Sequence, residues 1–382
     1  MKKIPAFVLS SAFLLALTAP VYADQSQINK DQISSVQQQQ TLTYEQAVDK
    51  AFKASNVLKN SEMDIDRSYE IREKVGDSVK YTPTGPGNGA GDAYGIGALK
   101  GLAQADMAWD LNKKNYELTK DHIAYTVKQA YNNVLQGQKQ LELAKASLDN
   151  QALQTTIIRT KVEYGTASSF DLTQEENKLQ AAEERVKLAT KALQDSYEKF
   201  NNLLNLPKDT RLVLTDEPKF TTFAQTEEQM EQHVRDIITS STAVWAAEQQ
   251  VKLKQLDIDL YTYNVQGSTP YKAAEIDVQK ASNNAEDTKK NLANGIRSIY
   301  LNIKQLENRY QELNVDLANA QKTQQMAQIR YNLGIGIKAD VLNADLAVKS
   351  KQKDITDVLS QLDVLKVAYD KPWVATGAST SS

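Results

Sequence analysis

Tyr164-Gly165-Thr166-Ala167-Ser168-Ser169-Phe170-Asp171-Leu172 and Leu333-Gly334-Ile335-Gly336-Ile337-Lys338-Ala339-Asp340-Val341 are one turn written twice, 169 residues apart and without a gap. Glycine and aspartate keep a spacing of six in both copies. Each glycine fits the left-handed cap that ends a helix. Ser168 with Asp171 three residues on fits a capping box that opens the next one, and Asp340 falls near a helix N-terminus, where a negative charge is favourable. Both turns therefore read as the tips of helical hairpins, and their repetition is an architectural signal.

The flanks carry the same message. Val127, Ala130, Val134, Gly137, Leu141, Ala144 and Leu148 follow alternating steps of three and four, and Ile296, Ile299, Ile303, Leu306, Tyr310, Leu313 and Leu317 repeat them at the same offsets. Beyond the turns, Leu172, Leu179, Val186, Leu193 and Phe200 fall at strict seven-residue steps, as do Val341, Val348, Ile355, Leu362 and Tyr369. A 3.5-residue period over four heptads predicts coiled-coil packing. Small or polar residues at the intermediate seam positions Ala182, Ala189 and Ser196 let helices approach closely and suit a helix with more than one neighbour. Proline is absent from Gly87 to Leu206 and from Tyr271 to Lys371. Because proline costs about 3 kcal/mol inside a helix, these two blocks are where long hairpins belong.

Further out, Thr43-Tyr44-Glu45-Gln46 and Thr226-Glu227-Glu228-Gln229 are matching capping boxes, so the duplication covers residues 42–206 and 226–372. The span 207–225 is a linker with a short apolar piece, Leu212-Val213-Leu214. Residues 76–101 hold eight of the fifteen glycines, plus Pro83 and Pro86, and read as a loop, with weak strands possible around Tyr81 or Tyr94. Tyr261 to Pro270 is the corresponding break in the second half. Residues 373–382 read as a frayed tail.

The first 23 residues have the layout of a signal peptide: Lys2 and Lys3, an apolar run from Ala6 to Leu17, and Val21-Tyr22-Ala23 as a cleavage site. The run is short for a permanent anchor across about 30 Å of hydrocarbon. Residues 24–41, with glutamine at 37–40, read as a disordered polar lead-in. Loss of Lys2 and Lys3 takes the formal net charge from −3 to −5, which gives no basic field for a nucleic acid. With no cysteine, an exported fold rests on packing alone. The two histidines, His122 and His233, lack metal-ligand spacing. No phosphate-binding loop or nucleophile elbow is present, and the carboxylates are scattered over solvated helix faces. The expectation is a non-enzyme with no cofactor and no metal.

The turns and their flanks resemble the outer-membrane efflux protein family, the TolC family. Arg330-Tyr331-Asn332-Leu333-Gly334 followed by Asp340-Val341-Leu342-Asn343-Ala344 is similar to the family's hairpin, and Lys161 to Gly165 followed by Asp171-Leu172 is a looser match. Leu42-Thr43-Tyr44-Glu45-Gln46-Ala47 resembles the family's N-terminal opening. The resemblance implies a homotrimer that forms an α-helical tunnel, working with a periplasmic-type adaptor and an inner-membrane transporter. It implies that Tyr164, Gly165, Thr166, Leu333, Gly334 and Ile335 dock the adaptor. It also implies that Asp340 lines the tunnel entrance, with Asp171 and Tyr331 as a pair that holds it shut. The second entrance aspartate falls on Asn343 here, and an arginine of the closing network on Gly336.

One departure is large. The family inserts two barrel strands per repeat, and a membrane strand needs about 9–11 residues. Neither 76–101 nor Tyr261 to Pro270 supplies them. The expected fold is therefore all-α: duplicated long helical hairpins in a trimeric coiled-coil tunnel, with little or no β-barrel. The expected function is an export or efflux conduit of the cell envelope, outer-membrane-associated or periplasmic, or at the surface of a cell that has no outer membrane. The alternative is a structural or surface coiled-coil protein that reuses the scaffold without transport. A third reading is a binding module in which the glycine-rich loop caps a ligand.

Overall fold

The computed structural model describes residues 41–267 and 269–375. The expected signal peptide, all of the polar lead-in before Thr41 and residues 376–382 lie outside the described residues.

Eight helices dominate the described residues: α1 (Tyr44–Ala54), α2 (Asn56–Gly76), α3 (Ala90–Glu163), α4 (Ser169–Leu203), α5 (Glu227–Ser240), α6 (Thr242–Asp259), α7 (Tyr271–Asn332) and α8 (Lys338–Asp370). Four two-residue strands accompany them: β1 (Thr41–Leu42), β2 (Gly87–Asn88), β3 (Val213–Leu214) and β4 (Thr262–Tyr263). β1 pairs in parallel with β3, and β2 with β4, so no closed sheet exists among the described residues. None of the described helices is long and apolar enough to cross a membrane.

The caps lie where the sequence puts them. Thr43 and Gln46 form a reciprocal capping box on α1, and Thr226 and Gln229 form one on α5. The repeat is kept to the residue at the hairpins: α3 and α7 end 169 residues apart, and α4 and α8 begin 169 residues apart. With 74 residues, α3 is about 110 Å long at 1.5 Å per residue.

Each repeat builds its own core from predicted seam residues together with a tyrosine outside that seam, Tyr131 in the first and Tyr300 in the second. Val127, Tyr131, Val134 and Phe200 are buried in the first, and Ile296, Tyr300, Ile303 and Tyr369 stand at the same offsets in the second. The small seam residues Ala182 and Ala189 are buried as well. The 207–225 segment is packed against these cores. Phe220 stacks on Tyr310 with ring centroids 4.1 Å apart, and Phe223 meets Tyr369 edge-on. The Tyr131 hydroxyl donates to the Leu42 carbonyl and accepts from the Asp216 N–H, tying β1 and this segment to α3.

Laterally, α3 packs along both α4 and α8, and α8 packs along α7. The order α4–α3–α8–α7 leaves α4 and α7 at the two edges. Lys128–Asp363, Glu142–Lys349 and Asn150–Asn343 link α3 to α8 in an antiparallel sense. Both hairpin tips therefore lie at one end.

Two expectations are corrected at the other parts of the chain. The glycine-rich loop expected over 76–101 is confined to 77–89, because residues 90–101 form the first turns of α3. One of their glycines is filled by a neighbour: a Cβ on Gly95 would lie 2.4 Å from the Tyr81 ring, whereas one on Gly91 or Gly97 would meet nothing within 4 Å and one on Gly101 would touch Val75 of α2 at an ordinary 3.6 Å. At Gly95 that packing offsets a helix cost of about 1 kcal/mol. Tyr94, considered for a weak strand, is helical. The described part of the tail expected to fray from Trp373 is ordered: Pro372–Val374 form a 3₁₀ turn, Val374 is buried, and the Trp373 indole N–H donates to Asp121 over 2.9 Å.

Candidate functional site

The two tips are the same backbone device. In the first, Gly165 has φ +69°. Its N–H reaches the Val162 carbonyl at 2.9 Å, and the Thr166 N–H reaches that of Lys161 at 2.8 Å. In the second, Gly334 has φ +72°, and Gly334 and Ile335 donate to Tyr331 and Arg330 at 3.0 Å each. This double bond pattern is the Schellman motif. It satisfies carbonyls that would otherwise need water, and in the first tip the Thr166 hydroxyl adds a bond to the Lys161 carbonyl at 3.0 Å.

What the tips present is apolar. Tyr164, Phe170, Leu333, Ile335 and Ile337 are between 59 and 80% exposed. Large apolar residues gathered at one end, held on rigid turns and left in water, mark an interaction surface. Phe170 and Ile337 belong to this surface although the motifs of the sequence do not single them out. Nothing in a heptad pattern flags an apolar residue in a turn, but the aligned copies show one on the loop side of each aspartate.

The polar residues are arranged differently from the family pattern. Asp171 is engaged by its own helix: Ser168 donates to its carboxylate through the backbone N–H at 2.9 Å and through Oγ at 2.8 Å. These bonds hold the carboxyl below its usual value. Tyr331 is exposed and makes no hydrogen bond with Asp171 among the described residues, so the structure does not join the expected closing pair. Asp340 sits in the first turn of α8, exposed, and its carboxylate has no partner among the described residues. Gly336 is sterically required. A Cβ there would lie 2.9 Å from the Arg330 Cβ and 3.1 Å from the Arg330 carbonyl carbon.

Asn343 is the second finding. Its Oδ1 accepts from Nδ2 of Asn150 on α3 at 2.7 Å. Asn150 is buried, and its own Oδ1 has no partner. No hydrogen bond or ion pair joins the two hairpins closer to the tips among the described residues. Asn150 was not legible from sequence because its partner lies 193 positions away.

No group of three His, Cys, Asp or Glu residues could hold a metal among the described residues. His233 stacks on Tyr369, with Nε2 3.0 Å from the Tyr369 carbonyl oxygen, and His122 is exposed on α3.

Comparison with known proteins agrees with the resemblance seen in the turns. The family described as outer membrane efflux protein matches residues 251–368, from the middle of α6 to the end of α8. The fold is that of TolC-family channels. The outer-membrane channel OprN superposes with a TM-score of 0.63 at 14% identity, covering 87% of this chain and 90% of the channel. The Campylobacter jejuni CmeC outer membrane channel gives 0.62 at 13% identity, covering 89% and 87%. The Vibrio cholerae outer membrane protein VceC gives 0.60 at 14% identity, covering 87% and 96%. No curated protein matches the chain.

Proposed function

We propose that this chain is the tunnel component of an envelope export or efflux system, acting as a homotrimer and docking an adaptor and an inner-membrane transporter through its hairpin tips. The observation that carries the reading is the pair of Schellman turns at one end of the helix array. They repeat at 169 residues and present Tyr164, Leu333 and Ile335 to water. A stabilising core would bury such side chains, whereas a docking tip exposes them on a rigid backbone.

Ring assembly has a physical motive. α4 and α7 lie at the edges of the order α4–α3–α8–α7, and Leu301, Val315 and Ile329 on α7 are more than half exposed at steps of fourteen residues. Such a stripe gains from a neighbour at roughly 25 cal/mol per Å² buried. Asp340, unpaired in each copy, would then form an acidic ring at the entrance. Asn343 contributes no charge to that ring, because it is neutral and bonded to Asn150. The work done is passage, with no bond made or broken in the substrate, and it calls for no cofactor.

The test is photo-crosslinking in cells with the reactive group at Thr166 or Ile335. Capture of an adaptor, together with accumulation of an exported compound on deletion of this chain, is the expected result. If neither tip contacts an adaptor and deletion leaves compound sensitivity and secretion unchanged, the conduit reading fails, and the structural coiled-coil alternative takes its place.

A further inference from the structure

The end opposite the tips holds a cavity of about 300 Å³. Four parts of the chain line it: the first turns of α3, the end of α6, the stretch 261–269 with β4, and the first turns of α7. Its apolar lining includes Ile96 and Ala274, both buried. Tyr261 lines it too, and its ring is held edge-to-face by Tyr263 and Tyr271, with centroids 5.0 and 5.2 Å away. The Tyr261 hydroxyl donates to the Thr269 carbonyl at 3.0 Å. Pairing of β2 with β4 fixes the 261–269 stretch, and Asn264 Nδ2 adds a bond to Asn88 Oδ1 at 2.8 Å. The cavity is therefore pre-formed within one chain.

Its charges are unevenly paired. Asp257 takes both lysines of the cavity, Lys100 at 3.2 Å and Lys254 at 3.8 Å. Asp277, half-buried on α7, lines the same cavity and has no hydrogen bond or ion pair among the described residues. The α3 and α6 side thus carries two cations on one carboxylate, and the α7 side carries a lone carboxylate. The signs balance in total but stay apart. A half-buried charge is costly until something pairs with it. Asp277 would repel a simple anion, and the lysines would repel a simple cation. A molecule with one group of each sign answers both sides. Gly97 is an independent observation. It lines the cavity from α3, and a Cβ there would meet nothing within 4 Å. Glycine is a poor residue for a helix interior. Gly95 has a reason in the Tyr81 ring, whereas Gly97 has none inside the chain. What it provides is room.

We propose that this cavity binds a small zwitterion, a free amino acid or a short peptide with unblocked ends. Its ammonium group meets Asp277, and its carboxylate meets Lys100 and Lys254. Its side chain lies along Tyr261 and Ile96, in the space that Gly97 leaves. Both charged contacts are partly open to water, so salt weakens them. The site is complete in one chain and depends on neither the assembly nor the transport reading. It differs from the binding module considered from sequence. The stretch beside the cavity is 261–269, and the glycine-rich loop meets that stretch through β2.

The test is a saturation-transfer NMR titration of residues 24–382 with the dipeptide L-alanyl-L-leucine. Its N-acetylated form, its C-amidated form and N-acetylglucosamine are titrated beside it. The expected result is saturable binding of the free dipeptide that weakens as salt rises, with each blocked form bound about tenfold more weakly. Asp277→Asn should weaken the free dipeptide about tenfold and leave the N-acetylated form as it was, a pattern that a general loss of structure would not give. Gly97→Leu should abolish binding with the far-UV helical signal unchanged. Three results would overturn the proposal: no saturable binding to the folded chain up to about 10 mM, blocked forms bound as tightly as the free one, or equal binding of N-acetylglucosamine. Because the assay uses the isolated chain, none of these results bears on the conduit reading.

Discussion

Gly334 and Gly336 sit two residues apart and are glycine for different reasons. Gly334 needs a positive φ, and a side chain there costs on the order of 1–2 kcal/mol. Gly336 needs room against Arg330. Alanine at either position should loosen the second tip, seen as faster amide exchange at Gly334 and Ile335 with the far end of the helices unchanged. Equal protection in all three proteins would show that the turn is not held in this way. Asp171 gives a pH prediction. Its carboxyl is held low chiefly by the Ser168 backbone N–H and then by the Ser168 hydroxyl. A lowered value means that the cap contributes fully above the ordinary aspartate pKa of about 3.9 and is lost as pH falls through the folded value. A carbon-detected titration should place Asp171 below the ordinary aspartate value, and Ser168→Ala should move it part of the way back. The cap was legible in the sequence because Ser168 and Asp171 are three residues apart. That this same cap occupies the carboxylate expected to meet Tyr331 was not, since spacing alone does not say which of two partners a carboxylate takes.

The helices show where periodicity succeeds and where it stops. The seams were readable because each buried position recurs at a fixed step, and Val127, Phe200, Ile296 and Tyr369 occupy them. The first turns of α3 were not readable, because a glycine count registers the helix cost and not the neighbour that offsets it. Gly95 seats the Tyr81 ring, whereas a Cβ added to Gly97 would meet nothing within 4 Å. Gly97→Ala should therefore stabilise the protein by up to about 1 kcal/mol, read as a higher urea midpoint, and Gly95→Ala should lower the midpoint by displacing Tyr81. The opposite order would mean that Tyr81 does not pack there. The N-caps are simpler. Thr43→Ala and Thr226→Ala should each cost about 1 kcal/mol, and an unchanged midpoint would remove the capping boxes from the account.

For the whole molecule, the sequence told more about the tips than about the opposite end. The tips are local motifs repeated at a fixed distance, so two copies could be compared letter by letter. At the opposite end the repeats differ in length: α3 begins twelve residues further from its tip than α7 does. That end is joined by the β2–β4 pair, an ion pair between Lys100 and Asp257, and edge-to-face contacts of Tyr261 with Tyr263 and Tyr271. These contacts have no period that a sequence could display. They stand where the family resemblance would supply strand insertions. The proposed assembly rests on edges: α4 and α7 end the order α4–α3–α8–α7, and α7, which also packs on α5 and α6, leaves Leu301, Val315 and Ile329 exposed. The most direct measurement is sedimentation equilibrium of residues 24–382 at several concentrations. The account predicts a single species of three times the chain mass, and a helical monomer at all concentrations would contradict it.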